Sequence, residues 1–67
     1  MTCPRCGQGS VIRAKINSTG KYIYLCNECD AMWFSRLDIG NSPFLDFGTY
    51  MEEMDLPPLW SELSIDD

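Results

Sequence analysis

Four cysteines in two matched pairs are the residues best equipped for chemistry. Cys3-Pro4-Arg5-Cys6-Gly7 and Cys26-Asn27-Glu28-Cys29-Asp30 together read C-x2-C-x19-C-x2-C, a spacing that signals a tetrahedral metal site. Two cysteines three positions apart let one tight turn aim both sulfurs at a single ion. The amides after each first cysteine can then donate to its thiolate. A left-handed residue is expected after each second cysteine, a conformation Gly7 takes freely and Asp30 tolerates. Four thiolates at about 2.3 Å fill every position around a tetrahedral ion. Such a closed site is structural, with no vacancy for water or substrate. Zinc is the expected ion, one per chain, and iron the alternative. A disulfide framework would need an oxidising compartment. A redox CxxC would need a βαβ setting.

The chain has 67 residues and no histidine. The first number demands a staple: ordering such a chain costs on the order of 100 kcal/mol, at roughly 1.5 kcal/mol per residue, which a small core barely offsets. The second removes Ser-His-Asp and Cys-His catalysis and mixed Cys/His ligation. Glu52, Glu53 and Asp55 are the remaining cluster, but near-consecutive helical residues point apart. No catalytic residue is expected, and the chain reads as non-enzymatic.

Charge divides the chain. Residues 1–34 set Arg5, Arg13, Lys15 and Lys21 against Glu28 and Asp30, a balance of +2. Residues 35–67 set Arg36 against Asp38, Asp46, Glu52, Glu53, Asp55, Glu62, Asp66 and Asp67, a balance of -7. Four thiolates and a divalent zinc ion would bring the front half to neutrality. Nucleic acid is disfavoured, because phosphate binding needs cations that release counterions. A protein partner with a basic surface suits the acidic half, with Asp46, Glu52, Glu53, Asp55 and Glu62 as steering carboxylates and Trp60 as an aromatic anchor.

Short elements must position these groups. Ser10–Ile16 alternates Val11, Arg13 and Lys15 with Ile12, Ala14 and Ile16, the period of a half-buried strand. Asn17-Ser18-Thr19-Gly20 reads as a turn. Lys21–Cys26 returns as a second strand, and Ala31–Phe34 supplies a short third. Ser42 is a candidate helix cap with Pro43 at the first helical position. Thr49 is a later candidate cap, with Glu52 closing a capping box. Phe44, Phe47, Met51 and Met54 recur at helical spacing, and Pro57-Pro58 ends the helix. Leu59, Trp60 and Leu63 are expected to form a last helical turn folding back on the hairpin. Trp33, Trp60, Phe34, Phe44 and Phe47 are expected in the core, with Met32, Met51 and Met54 filling gaps. The expectation is a small metal-stapled β fold: a three-stranded antiparallel sheet with a short C-terminal helical segment. Residues 1–36 form the metal ribbon and 37–67 an acidic helical tail packed on it, one domain overall.

CPRCG, a hairpin, and CNECD followed by Trp33-Phe34 resemble the zinc-ribbon proteins over roughly residues 1–34. That resemblance implies the metal and the fold and leaves function open. The acidic charge and aromatic content also resemble rubredoxin, which implies an iron electron carrier. The chain departs from rubredoxin in CNECD instead of CPxCG, in Gln8 instead of Tyr, and in a shorter inter-knuckle loop. CNECDAMWF, the helix at Tyr50-Met51 and LPPLWSEL look like small bacterial immunity proteins of contact-dependent or polymorphic toxin systems. This implies a stoichiometric inhibitor of a cognate toxin domain. A transcription- or RNA-associated ribbon is the further alternative. No apolar run approaches the roughly 18 residues of a membrane span, and Met1-Thr2-Cys3-Pro4-Arg5 lacks the apolar stretch of a secretory signal. A reducing, cytoplasmic setting is therefore expected.

Overall fold

Alternating apolar residues pair β1 (Val11–Ile16) antiparallel with β2 (Lys21–Cys26), in a register that sets Val11 opposite Cys26 and Ile16 opposite Lys21. The computed structural model describes residues 1–65. Asp66 and Asp67, counted in the acidic half, lie outside the described residues. β3 (Ala31–Trp33) joins β2, placing Tyr24 opposite Trp33. Two further strands come from the acidic half. β4 (Leu45–Asp46) adds to β3, and β5 (Leu63–Ile65) adds to β1 with Leu63 opposite Ile16. Among the described residues the sheet therefore has five strands in the order β4-β3-β2-β1-β5, not the three expected.

The two extra strands are short and take their pairing from distant groups. Asn17 donates its N–H to the Glu62 carbonyl at 2.9 Å, and Ser64 Oγ donates to Asn17 Oδ1 at 2.7 Å. These bonds clip β5 to the hairpin turn. The expected last helical turn shrinks to a 3₁₀ turn, Trp60–Glu62, that delivers Leu63 to the sheet. A three-residue strand carries too little periodicity to show itself in sequence.

The helix α1 spans Phe47–Glu53, and its cap is Asp46, not Ser42 or Thr49. Asp46 accepts from the Thr49 N–H at 3.0 Å and from Thr49 Oγ1 at 3.1 Å. These bonds hold its carboxyl below the ordinary aspartate value. Ser42 is occupied elsewhere: its N–H and hydroxyl bond Asp38, and its carbonyl accepts from Trp33 Nε1 at 3.3 Å. Asp46→Ala should cost about 1 kcal/mol near neutral pH. A lowered carboxyl stabilises the fold above the unfolded aspartate pKa and stops doing so as pH falls through the folded value. Thermal melts of the two proteins should therefore converge in acid.

Helix α1 ends before the prolines, in a Schellman arrangement. Leu56 N–H donates to the Met51 carbonyl at 2.9 Å and Asp55 N–H to the Glu52 carbonyl at 3.1 Å. Asp55 holds the left-handed position at φ 58°. Asp55→Gly should raise stability by about 0.5–1 kcal/mol, read by chemical denaturation, because glycine takes this conformation without Cβ strain.

Seven residues form no stable helix alone. Phe47 and Met51 anchor α1 on one sheet face, over Ala14, Ile16, Ile23, Leu25, Met32 and Leu63, with Trp60 edge-on to Phe47. The expected stripe is thus half right, since Phe44 and Met54 are exposed. Trp33 and Phe47 are core residues as expected. Phe34 lies outside it, under the Lys21 ammonium and against Tyr50. A second cluster, on the other face, joins Cys3, Cys26, Ala31, Trp33 and Ile39. Among the described residues, no helix is long and apolar enough to cross a membrane.

Candidate metal centre

The first knuckle is closed by backbone bonds. Cys3 N–H donates to the Gly9 carbonyl at 2.8 Å, and Gly7 N–H to the Cys3 carbonyl at 2.9 Å. Gly7 and Asp30 take positive φ at 70° and 60°, matching the expected turn at both second cysteines. The hairpin brings the second knuckle alongside, and Asn27 locks it there. Its N–H reaches the Ser10 carbonyl at 3.0 Å, and its Oδ1 accepts from Ser10 N–H at 3.0 Å.

The result is one sulfur cluster. Cys3, Cys6, Cys26 and Cys29 place their Sγ atoms within 4.8 Å of one another, and this arrangement could hold a metal ion. Cys3–Cys29 and Cys6–Cys26 are each 3.7 Å apart across the knuckles. A sulfur tetrahedron with a 2.3 Å radius has edges of about 3.8 Å, so the cage size fits. The spacing is far from the roughly 2.05 Å of a disulfide, and all four cysteines are free. Cys3 and Cys26 are fully buried, while Cys6 and Cys29 form the rim.

Backbone donors already point at the sulfurs. Glu28 and Cys29 N–H groups lie 3.3 and 3.5 Å from Cys26 Sγ, and Gly9 N–H lies 3.4 Å from Cys6 Sγ. The expected amide donors thus serve Cys26, whereas in the first knuckle the Gly9 amide reaches the second cysteine from beyond it. The Gly9 amide, with that of Gln8, lowers the Cys6 thiol to about 6. Burial pushes Cys26 up to about 11 against the pull of the Cys29 and Glu28 amides. At Cys29 burial acts upward too, but the Ala31 amide and the Arg5 guanidinium outweigh it and the thiol is lowered. The rim is thus predisposed to the thiolate form, whereas Cys26 must release its proton to solvent when a cation binds.

Two residues matter here that sequence reasoning did not single out as part of the site. Gly9 has no room for a side chain: a Cβ would sit 2.6 Å from Cys26 Sγ and 2.7 Å from Glu28 Cγ. Arg5 ties the knuckles together, donating to the Cys29 carbonyl at 3.2 Å while its guanidinium lies 4.4 Å over the Phe44 ring. The glycine after Cys-x2-Cys-Gly-x was a visible signal, but its crowding depends on residues almost twenty positions away.

The six candidate docking residues do not form one uniform patch. Glu52, Glu53 and Asp55 are exposed where α1 ends. Asp46 is exposed but engaged as the helix cap. Glu62 is half-buried and accepts from Ser18 Oγ at 3.4 Å. Trp60 is half-buried against Phe47. The cysteine arrangement fits a zinc-ribbon-like site. Comparison with family models, curated proteins and solved structures found no match for this chain.

Proposed function

We propose that this chain is a non-enzymatic, zinc-stapled protein-interaction module of ribbon type, an immunity or antitoxin protein that blocks a cognate basic toxin domain. Zinc, held by Cys3, Cys6, Cys26 and Cys29, would supply a rigid anchor for the hairpin. An all-sulfur tetrahedral donor set favours zinc and also suits iron. Metal analysis of protein purified from its native host separates them, since an iron-loaded preparation with a visible absorption band would favour the rubredoxin-like reading. The cage has no position left for substrate, which supports a structural role. A reducing cytoplasm suits four free thiols.

The observation that carries the docking role is the composition of the α1 terminus. Glu52, Glu53 and Asp55 gather at the negative end of the helix dipole, with no basic residue in the last turn. Carboxylates there repel one another and the dipole, a local arrangement unfavourable to folding. Beside them Met54 and Leu59 are exposed at 46% and 55%, offering apolar contact amid the charge. A cationic partner would relieve the repulsion, be steered in by it, and cover the apolar pair. Asp46 and Glu62, already bonded within the chain, would act at longer range, and Trp60 would present only its exposed edge.

Neutralising the three carboxylates together (Glu52→Gln, Glu53→Gln, Asp55→Asn) should leave the fold intact and slow association with the partner at least tenfold at low salt. Stopped-flow binding to a candidate basic toxin domain, sought among the products of the neighbouring genes, measures it. A rate unmoved by both substitution and salt would rule out steering. If co-expression fails to relieve the growth arrest caused by a toxin domain that this chain binds, immunity is ruled out.

A further inference from the structure

Residues three and four apart share a helix face, so Thr49, Tyr50 and Glu53 lie on the same side of α1. Facing them are Leu45 of β4 and Phe34, just past β3. Between the two lies a cavity of about 220 Å³, lined by Phe34, Leu45, Asp46, Thr49, Tyr50 and Glu53. Its apolar walls are partly open, with Phe34 and Leu45 exposed at 38% and 40%. Phe34 is already ordered: the Lys21 ammonium lies 4.4 Å over its ring, and the Tyr50 ring meets it edge-on at 5.4 Å. Of the two carboxylates, Asp46 is committed to Thr49, and its single charge balances that of Lys21. Glu53 is exposed, and its side chain has no hydrogen bond or ion pair among the described residues.

We propose that this cavity seats an arginine side chain presented by the basic partner, a choice of bearer that rests on the docking role proposed above. An apolar wall shelters the methylene stem of a long cation, while a carboxylate at the rim meets its charged head. Arginine suits these walls better than lysine, because its planar guanidinium packs against aromatic rings and sheds water more readily than an ammonium. Its N–H fork can also bond both oxygens of the Glu53 carboxylate. Glu52 and Asp55 do not line the cavity. The three α1 carboxylates therefore divide in role: Glu53 holds the cation, and the other two only attract it.

The test is NMR titration of metal-loaded protein with N-acetyl-arginine amide, its neutral isostere N-acetyl-citrulline amide, and N-acetyl-lysine amide, all at one ionic strength. The arginine compound should shift the Phe34, Tyr50 and Glu53 signals and bind at least fivefold more tightly than either of the others. Glu53→Gln, an exposed position, should weaken it at least fivefold. Glu52→Gln removes the same charge from the neighbouring position outside the cavity and should change affinity less than twofold. Equal losses in the two variants, equal affinity for the citrulline or lysine compound, or shifts not confined to the cavity would overturn the proposal. Steering by the acidic patch would survive any of those results. Arginine binding in the cavity, with toxin association unmoved by salt, would uphold the site and remove the docking role.

Discussion

Stripping the metal, or replacing Cys26 with serine, is expected to unfold the hairpin. Cys26 is fully buried at the centre of the cluster with Cys3, Ala31, Trp33 and Ile39. Without an ion, four sulfurs face one another at 3.7 to 4.8 Å with nothing to hold them. Where the cage must hold thiolates, it would then hold repelling charges. Structural zinc contributes on the order of 10–16 kcal/mol of apparent binding energy in small domains, comparable with or above the 5–15 kcal/mol total stability of ordinary proteins. A chain of 67 residues has little else to draw on. Circular dichroism and amide NMR dispersion should collapse together on chelation and recover when zinc is restored. A spectrum unchanged after complete metal removal would sink the claim. Because Cys26 releases a proton on binding, the apparent metal affinity should also fall as the solution becomes more acidic.

Gly9→Ala is expected to be nearly as damaging, although it alters no metal ligand. The added methyl would lie 2.6 Å from Cys26 Sγ, 2.7 Å from Glu28 Cγ and 2.8 Å from Glu28 Cβ. The Glu28 side chain can swing aside, but the sulfur cannot without leaving the metal. Relief must come from moving Gly9, whose carbonyl holds Cys3 N–H and whose own N–H serves Cys6 Sγ. The substitution therefore disturbs three of the four ligands. We expect metal affinity to fall at least a hundredfold, about 2.7 kcal/mol, measured by competition with a chromogenic chelator. Gly7→Ala is the informative contrast. Its Cβ would meet nothing within 4 Å, so only the left-handed φ of 70° resists it. That strain is about 1–2 kcal/mol, and the metal should stay bound. If Gly9→Ala binds metal as well as Gly7→Ala, crowding at Gly9 is not what shapes the knuckle.

Local chemistry explains what was legible. The cysteine spacing is a property of two short turns, so it announced the sulfur cage directly. The β1–β2 hairpin showed because both strands alternate over six residues. Helix α1 was legible through Phe47 and Met51 but not in its start. Ser42-Pro43 has the composition of a helix cap, yet Trp33 Nε1 and Asp38 claim the serine's polar groups, and Asp46 caps the helix after leaving β4. Asp55 could be seen as a charge but not as the left-handed residue that ends the helix.

By itself the sequence determined the four sulfur donors, the hairpin that carries them, and the concentration of acid in residues 35–67. Each follows from residue type and short-range spacing. Only the tertiary structure decided that both sheet edges come from that acidic half, that Gly9 must lack a side chain, and which carboxylates remain available. Those outcomes depend on contacts between residues far apart in the chain: Asn17 with Glu62 and Ser64, Gly9 with Cys26 and Glu28. Chain closure over such distances is settled by the summed packing of the whole fold, and no local pattern encodes it.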